Sequence, residues 1–241
     1  MKDAVVIIPT YNEIENIDVI IRAVFNQDKA FDILVVDDNS PDLTAYKVKE
    51  LQSEFPDQLF LEIRKEKSGL GTAYIHGFKW CLEKGYDYIF EMDADFSHNP
   101  KDLIRLYEAC ANDGADVAIG SRYIKGVNVV NWPLGRVILS YMASIYVRII
   151  TGMRIRDTTA GFVCYKRNVL EVLDLDNVKF VGYAFQIEMK FKAFLKRFKI
   201  VEVPVIFTDR TKGESKLSGG IISEAIFGVI SMKFKSLFSK R

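Results

Sequence analysis

Ala4-Val5-Val6-Ile7-Ile8-Pro9 is an unbroken apolar run rich in β-branched residues, the pattern of a strand buried on both faces. Thr10-Tyr11-Asn12-Glu13 breaks it, and Ile17, Ile20, Ile21, Val24 and Phe25 then recur at helical spacing. Residues 31–36 predict a second strand, ended by Asp37-Asp38-Asn39-Ser40-Pro41-Asp42. In that break Pro41 suits the first turn of a helix and Ser40 its cap, with the helix reaching Leu51. Residues 59–63 predict a third strand. Gly69-Leu70-Gly71 opens a helix from Thr72 toward Leu82. Residues 86–90 predict a fourth strand, followed by Glu91-Met92-Asp93-Ala94-Asp95-Phe96-Ser97-His98. Pro100 and Asp102 announce a further helix through Ile104 and Leu106, and Val117-Ala118-Ile119 predict a fifth strand.

Strands alternating with helices imply an α/β fold with a mostly parallel central sheet and right-handed crossovers. In such sheets ligands bind outside the carboxyl ends of the strands. The polar breaks at residues 10–13, 37–42, 65–71, 93–98 and 120–122 all fall at such ends. Any one would be an ordinary turn. Five on one rim argue for a site.

The sharpest chemistry on that rim is Asp93-Ala94-Asp95. Two carboxylates this close repel unless a cation or water shares them. Oxygen ligands suit Mg²⁺ or Mn²⁺, which take one or two carboxylates plus substrate phosphates. The alternative for a bare Asp-x-Asp is a solvated turn or a helix N-terminus. Gly69-x-Gly71 invites a dinucleotide fold, but position 74 is Tyr74 and the first strand–helix turn has no glycine, so that reading is rejected. Neither a Gly-Lys-Ser/Thr phosphate loop nor a Gly-x-Ser-x-Gly elbow is present. His76 and His98 are the only histidines, which excludes a His-rich metal site.

At 241 residues the chain fits one large domain, or a domain with an appendage, at ~100–200 residues per domain. A formal charge of +1 exerts no global pull on nucleic acid. Cys81, Cys110 and Cys164 are unpatterned and read as reduced, buried thiols of an intracellular protein. Strand-forming sequence begins at once, so no signal peptide is expected. The apolar stretch 137–150 contains Ser140, Ser144 and Arg148 and falls short of the ~20 residues of a spanning helix, so no transmembrane segment is expected. Residues 127–150, with a helix starting at Trp132-Pro133, suit core packing, a dimer contact or a greasy wall against a lipid tail.

The sequence resembles a known family in several stretches. Pro9-Thr10-Tyr11-Asn12-Glu13, Val36-Asp37-Asp38-Asn39-Ser40-Pro41-Asp42, Asp93-Ala94-Asp95 and Gly120-Ser121-Arg122 resemble the inverting GT-A glycosyltransferases of family two. Gly69-Leu70-Gly71-Thr72-Ala73-Tyr74, Asp157-Thr158-Thr159-Ala160-Gly161-Phe162 and Arg210-Thr211-Lys212-Gly213-Glu214-Ser215-Lys216 resemble one branch, the polyprenol (dolichol) phosphate mannose synthases. The resemblance covers residues 4 to 216 and implies a GT-A fold with a Rossmann-like nucleotide-binding half. It implies transfer of mannose from GDP-mannose to a polyprenyl phosphate, with Mg²⁺ or Mn²⁺ as cofactor. By residue, it implies that Pro9, Tyr11, Glu13, Asp37 and Asp38 hold the nucleotide sugar, and that Asp93 and Asp95 hold metal and diphosphate. Arg122, Arg136, Arg210 and Lys216 would surround the phosphates, the last two on a loop that closes over the donor. Two departures stand out. Leu43 replaces the usual glycine after Pro-Asp, and Ser97 replaces a glutamine that helps bind metal, which leaves Ser97 or a water as third ligand. Synthases of this branch that carry transmembrane helices have them where this sequence stops.

An acceptor phosphate monoester has its second pKa near ~6 and arrives ionised, so it needs cations rather than a base. Were a base required, Glu188 is the candidate, its alternative being a helix-surface carboxylate paired with Lys192. His98 reads as a loop or capping residue. Competing functions are a polyprenyl phosphate glucosyltransferase using UDP-glucose, a family-two transferase with a hydroxyl acceptor, and a non-catalytic membrane-docking scaffold. The expected division is a glycosyltransferase domain over 1–218 and a C-terminal amphipathic helix over 219–241. That helix carries Ile221, Ile222, Ala225, Ile226, Val229, Ile230, Phe234, Leu237 and Phe238 beside Lys233, Lys235, Lys240 and Arg241. A basic amphipathic helix lies in the headgroup region, which predicts a cytoplasmic protein held peripherally on a membrane. The same stripe would serve to pack on the sheet, or to bind a membrane-anchored partner subunit.

Overall fold

The computed structural model describes residues 3–182, 184–209 and 219–238, with the side chains of 219–225 left out of the description. The apolar runs form a seven-stranded sheet from β1 (Ala4–Thr10), β2 (Asp32–Asp37), β3 (Leu59–Ile63), β4 (Tyr88–Glu91), β5 (Val117–Ser121), β7 (Val163–Lys166) and β8 (Ile200–Pro204). Their order is β3-β2-β1-β4-β7-β5-β8. A two-stranded parallel pair, β6 (Val129–Val130) with β9 (Phe207–Thr208), lies outside it. Every pairing in the large sheet is parallel except those of β7, which runs antiparallel to both β4 and β5. Two antiparallel steps restore the direction, so β5 points the same way as β1 to β4.

Burial on both faces follows from the alternation within each strand. Val5 and Ile7 join one apolar cluster, while Ala4, Val6 and Ile8 join another on the opposite face. The first cluster is covered by α3 (Leu70–Lys84), α5 (Leu134–Thr151), α6 (Arg167–Val172) and α7 (Ala184–Leu195). The second is covered by α1 (Ile17–Phe25), α2 (Thr44–Gln52) and α4 (Asp102–Ala111). The helix α8 (Gly219–Phe238) packs on α5 and α7. Cys81, Cys110 and Cys164 are buried free thiols.

Three expectations are corrected. The helix α2 starts at Thr44 rather than Pro41, because Ser40 Oγ bonds Asp37 and cannot cap it. Asp42 instead accepts from the Thr44 N–H at 3.0 Å. The fourth strand begins at Tyr88, since Gly85, with φ of 84°, ends α3 and turns the chain. The sheet is interrupted by β7, which the pattern left unassigned. The expectation of no transmembrane segment is not overturned, though by length and composition alone α5 is long and apolar enough to cross a membrane. It lies along the domain, with Ser144, Val147 and Thr151 buried and Leu134, Ile138, Leu139, Met142 and Ile149 exposed.

Candidate active site

The five polar breaks meet at one edge, as parallel strands require. Those after β1 and β2 are laced together. The Asp38 N–H bonds Thr10 O at 3.0 Å, the Asn12 N–H bonds Ser40 Oγ at 3.0 Å, and the Glu13 N–H bonds Thr44 Oγ1 at 3.0 Å. Pro9 is half-buried at the end of β1. Asp37 is fully buried and takes Thr10 Oγ1 at 2.7 Å and Ser40 Oγ at 2.6 Å, so it fastens the two loops rather than facing a ligand.

Asp38 holds Arg64 in a two-pronged pair, Nε to Oδ1 at 2.6 Å and Nη2 to Oδ2 at 2.8 Å, while Nη1 reaches Thr72 Oγ1 at 2.7 Å. This arginine was not singled out by sequence. A lone Arg one residue past a strand was the only signal, and its partners lie 26 and 8 residues away. Lys67 places its ammonium 4.2 Å from the centre of the half-buried Tyr11 ring. Tyr11, Glu13, Asp38, Arg64 and Lys67 thus make a polar floor over the ends of β1, β2 and β3.

Beyond β4, Asp93 and Asp95 are half-buried. Asp95 Oδ1 accepts from the Ser97 N–H at 3.0 Å, and Ser97 is 3% exposed, with its carbonyl accepting from Thr208. Ser97 therefore fixes Asp95 through its backbone. Among the described residues no cluster of three or more His, Cys, Asp or Glu side chains could hold a metal. Two carboxylates with all-oxygen chemistry nevertheless fit a hard cation that completes its shell with phosphate and water. A protein-only cage is not required.

His98 lies in the loop after β4, as expected, but is buried there. Its ring stacks on Phe162 at 4.9 Å and meets Phe207 edge-on at 5.3 Å, and Nδ1 accepts from the Asp93 N–H at 3.4 Å. Burial, helped by Arg122, lowers its pKa to about 4 against the pull of Asp95 and Asp157, so the ring is neutral near pH 7. Gly120 allows this packing: a Cβ there would lie 2.8 Å from the Phe162 ring. Beneath the site, Gln186 bridges two buried ionisable groups, donating to Glu91 at 2.7 Å and accepting from Lys190 Nζ at 3.0 Å. Burial pushes the Glu91 carboxyl up and the Lys190 ammonium down.

Arg122 differs most from expectation. Its side chain is 9% exposed and grips the fully buried Asp157. Trp132 has two guanidiniums against its ring, that of Arg122 at 5.4 Å and that of Arg136 at 4.1 Å from the ring centre. Arg136 also pairs with Asp209 at 2.7 Å and keeps 22% of its side chain exposed. The indole N–H of Trp132 is buried with no acceptor among the described residues. Trp132 and Asp157 were given no role from sequence. Arg210 and Lys216 lie outside the described residues.

Glu188 is not on the surface. It is 4% exposed and accepts from the N–H groups of Lys179 and Phe180 at 2.9 and 3.1 Å, with Lys192 at 3.3 Å. Those bonds hold the 179–181 turn, whose Val181 carbonyl accepts from the Gly71 N–H at 2.8 Å. It is a structural carboxylate. A cavity of about 420 Å³ lined by Asp32, Pro56, Asp57, Gln58, Lys84, Gly85 and Tyr86 opens at the opposite, amino end of the strands, away from all of this chemistry.

Residues 5–174 match the family described as Glycosyl transferase family 2. The chain is 49% identical over 224 residues to the polyprenol monophosphomannose synthase of Mycolicibacterium smegmatis, covering 93% of this chain and 84% of the relative. It is 46% identical over 223 residues to the undecaprenyl-phosphate mannosyltransferase of Micrococcus luteus, covering 92% and 90%. Among solved structures, it is similar to glucosyl-3-phosphoglycerate synthase from Mycobacterium tuberculosis in complex with Mn²⁺, UDP and glucosyl-3-phosphoglycerate. That match has a TM-score of 0.69 at 17% identity, over 96% of this chain and 80% of the other. It is also similar to a mannosyltransferase from Pyrobaculum calidifontis in complex with GDP-mannose and Mn²⁺, with a TM-score of 0.58 at 16% identity over 98% and 74%. These likenesses carry the fold, which is GT-A.

Proposed function

The chain belongs to glycosyl transferase family 2, and on that premise we propose that it moves mannose from GDP-mannose to a polyprenyl phosphate, releasing GDP. The observation that carries this reading is the single rim on which the polar floor over β1 to β3, the Asp93–Asp95 pair and the Arg122–Trp132–Arg136 stack all stand. The nucleoside rests against Tyr11, Glu13 and the Arg64-braced Asp38. Asp95, oriented by Ser97, would be the principal ligand of a divalent ion, Mg²⁺ or Mn²⁺, with Asp93 beside it. Held there, such an ion would supply positive charge to the leaving diphosphate. The relatives' names support the lipid acceptor, and the Mn²⁺-bound neighbours support a divalent metal.

The acceptor phosphate needs cations in a fixed place. Arg136 presents one directly. Arg122, held by Asp157, keeps its charge in the wall behind Trp132, where it contributes field rather than a mobile hydrogen-bonding arm. Arg210 and Lys216 complete the reading as cations that close over the donor diphosphate. No side-chain base is used, because the acceptor is already anionic.

Association with a membrane surface follows from the acceptor and from the exposed apolar residues of α5 and of Phe227, Ile230, Phe234, Leu237 and Phe238 on α8. The free thiols suit the reducing, cytoplasmic side. The test of the site is Asp95→Ala. It is expected to remove transfer and to weaken GDP-mannose binding in the presence of Mn²⁺, while the fold is kept. Wild-type turnover in that variant would refute the assignment.

A further inference from the structure

On the flank of α5, on the side of Tyr123, whose ring lies 5.2 Å from the Arg122 guanidinium, a cavity of about 150 Å³ is lined by Tyr123, Tyr141, Ile145, Arg148 and Arg156. The spacing 141, 145, 148 puts three of these on one face of α5. Arg156 comes from the turn before Asp157 and closes the other side. We propose that this cavity is a second phosphate site, separate from the acceptor site, and that it takes the headgroup of an anionic membrane lipid.

Three observations carry it. First, the charge is uncompensated. Arg148 makes no ion pair among the described residues, and its Nε is buried without a hydrogen-bond acceptor. A buried donor left unmet is uncommon in folded proteins and points to a missing acceptor. Among the described residues the exposed Arg156 guanidinium spends one N–H, on the Ile124 carbonyl at 3.3 Å, and its backbone N–H goes to Glu202. The nearby carboxylates are committed elsewhere. Asp157 is bound to Arg122, and Glu202 accepts from Ser121 Oγ and from the N–H groups of Arg156 and Asp157.

Second, the donors suit a phosphate. Two guanidiniums offer planar forks matched to its oxygens. The Tyr141 hydroxyl adds a third donor group, of a second type, while Tyr123 is already tied to Ser140 at 2.8 Å and forms a fixed wall. The space admits one tetrahedral oxyanion with a few waters and is too small for a nucleotide.

Third, position selects the source. The same helix exposes Leu134, Ile138, Leu139, Met142 and Ile149, so the basic cavity lies beside an apolar strip. A phosphate at headgroup depth with its chains along that strip satisfies both. The inference rests on the reading that α5 meets a membrane.

The test uses the full chain on vesicles of phosphatidylcholine, with and without phosphatidylglycerol. Phosphatidylglycerol is expected to raise partition of the wild type by on the order of tenfold. Arg148→Gln combined with Arg156→Gln should lose most of that gain. It should keep partition onto phosphatidylcholine alone and keep mannosyl transfer in detergent. Arg156→Gln alone, at an exposed position, should lose a measurable part and covers a folding failure of the pair. Arg154→Gln with Lys235→Gln removes equal charge elsewhere and should lose far less. Equal losses in the two pairs would mean diffuse charge and overturn the proposal. So would phosphorus NMR broadening by inorganic phosphate that the Arg148/Arg156 pair abolishes without any change on vesicles, which would make this a soluble-anion site. If phosphatidylglycerol adds nothing while partition onto phosphatidylcholine persists, the pocket assignment alone falls. If the wild type joins no vesicle, the membrane reading falls with it.

Discussion

Arg122 and Asp157 are clasped across 35 residues of sequence, with Nε and Nη2 of the arginine 2.7 and 2.6 Å from the two carboxylate oxygens. The Arg122 backbone N–H adds a third bond to the same carboxylate at 2.9 Å. Burial alone would raise the Asp157 pKa, but the charge and hydrogen bonds of Arg122 outweigh it and hold the carboxyl below its usual range. The clasp is therefore an ionised, buried pair.

Breaking a buried pair on one side leaves a buried charge unmatched, at a cost of about 3–5 kcal/mol. Asp157→Asn should lower stability by that order in denaturant unfolding. Arg122→Met combined with Asp157→Leu should lose less than the single change, because neither charge is then stranded. A single variant as stable as the wild type would show that the clasp does not stabilise the fold.

The type and place of Arg122 were legible in Gly120-Ser121-Arg122, but its partner was not. Pairing across the sheet depends on β7 entering between β4 and β5, and four residues, Val163 to Lys166, are too short a run to announce a strand. The parallel half was legible because strands buried on both faces leave long β-branched runs. The start of α2 was misplaced for a local reason. Leu43 has φ of 70°, the left-handed conformation that a glycine normally supplies, so the chain turns there before the helix begins. Pro41 and Ser40 carry no sign of that. Glu188 looked like a surface carboxylate because helical spacing pairs it with Lys192, whereas its burial comes from the 179–181 turn folding over α7.

That turn makes Glu188 separable from catalysis. Glu188→Gln retains an acceptor for the Lys179 and Phe180 N–H groups and should keep kcat within a few-fold. Glu188→Ala strands both donors and should cost about 1–3 kcal/mol of stability. A thousandfold loss of kcat in a stably folded Gln variant would instead mark a general base and a hydroxyl acceptor.

His98 gives the protein an acid-sensitive side. Its folded pKa of about 4 lies below the ordinary value, so the folded state prefers the neutral ring. The unfolded chain takes up the proton near ~6.5 and the folded chain only near 4. Stability should therefore fall as pH drops from about 6.5 to 4, by up to ~1.4 kcal/mol per pH unit from this group. His98→Asn retains an acceptor for the Asp93 N–H and cannot titrate, so its stability should be flatter over that window. Parallel pH curves for the two proteins would show that His98 is not the titrating group.

The central claim is that this rim transfers mannose to a lipid phosphate, and the direct measurement is the mass of the lipid product. The full chain is incubated with GDP-mannose, Mg²⁺ and a short polyprenyl phosphate. The account predicts a lipid heavier by one hexose, formed in proportion to GDP released and absent when UDP-glucose replaces the donor. An unchanged lipid in the presence of GDP-mannose, or a hexose added only from UDP-glucose, would contradict it.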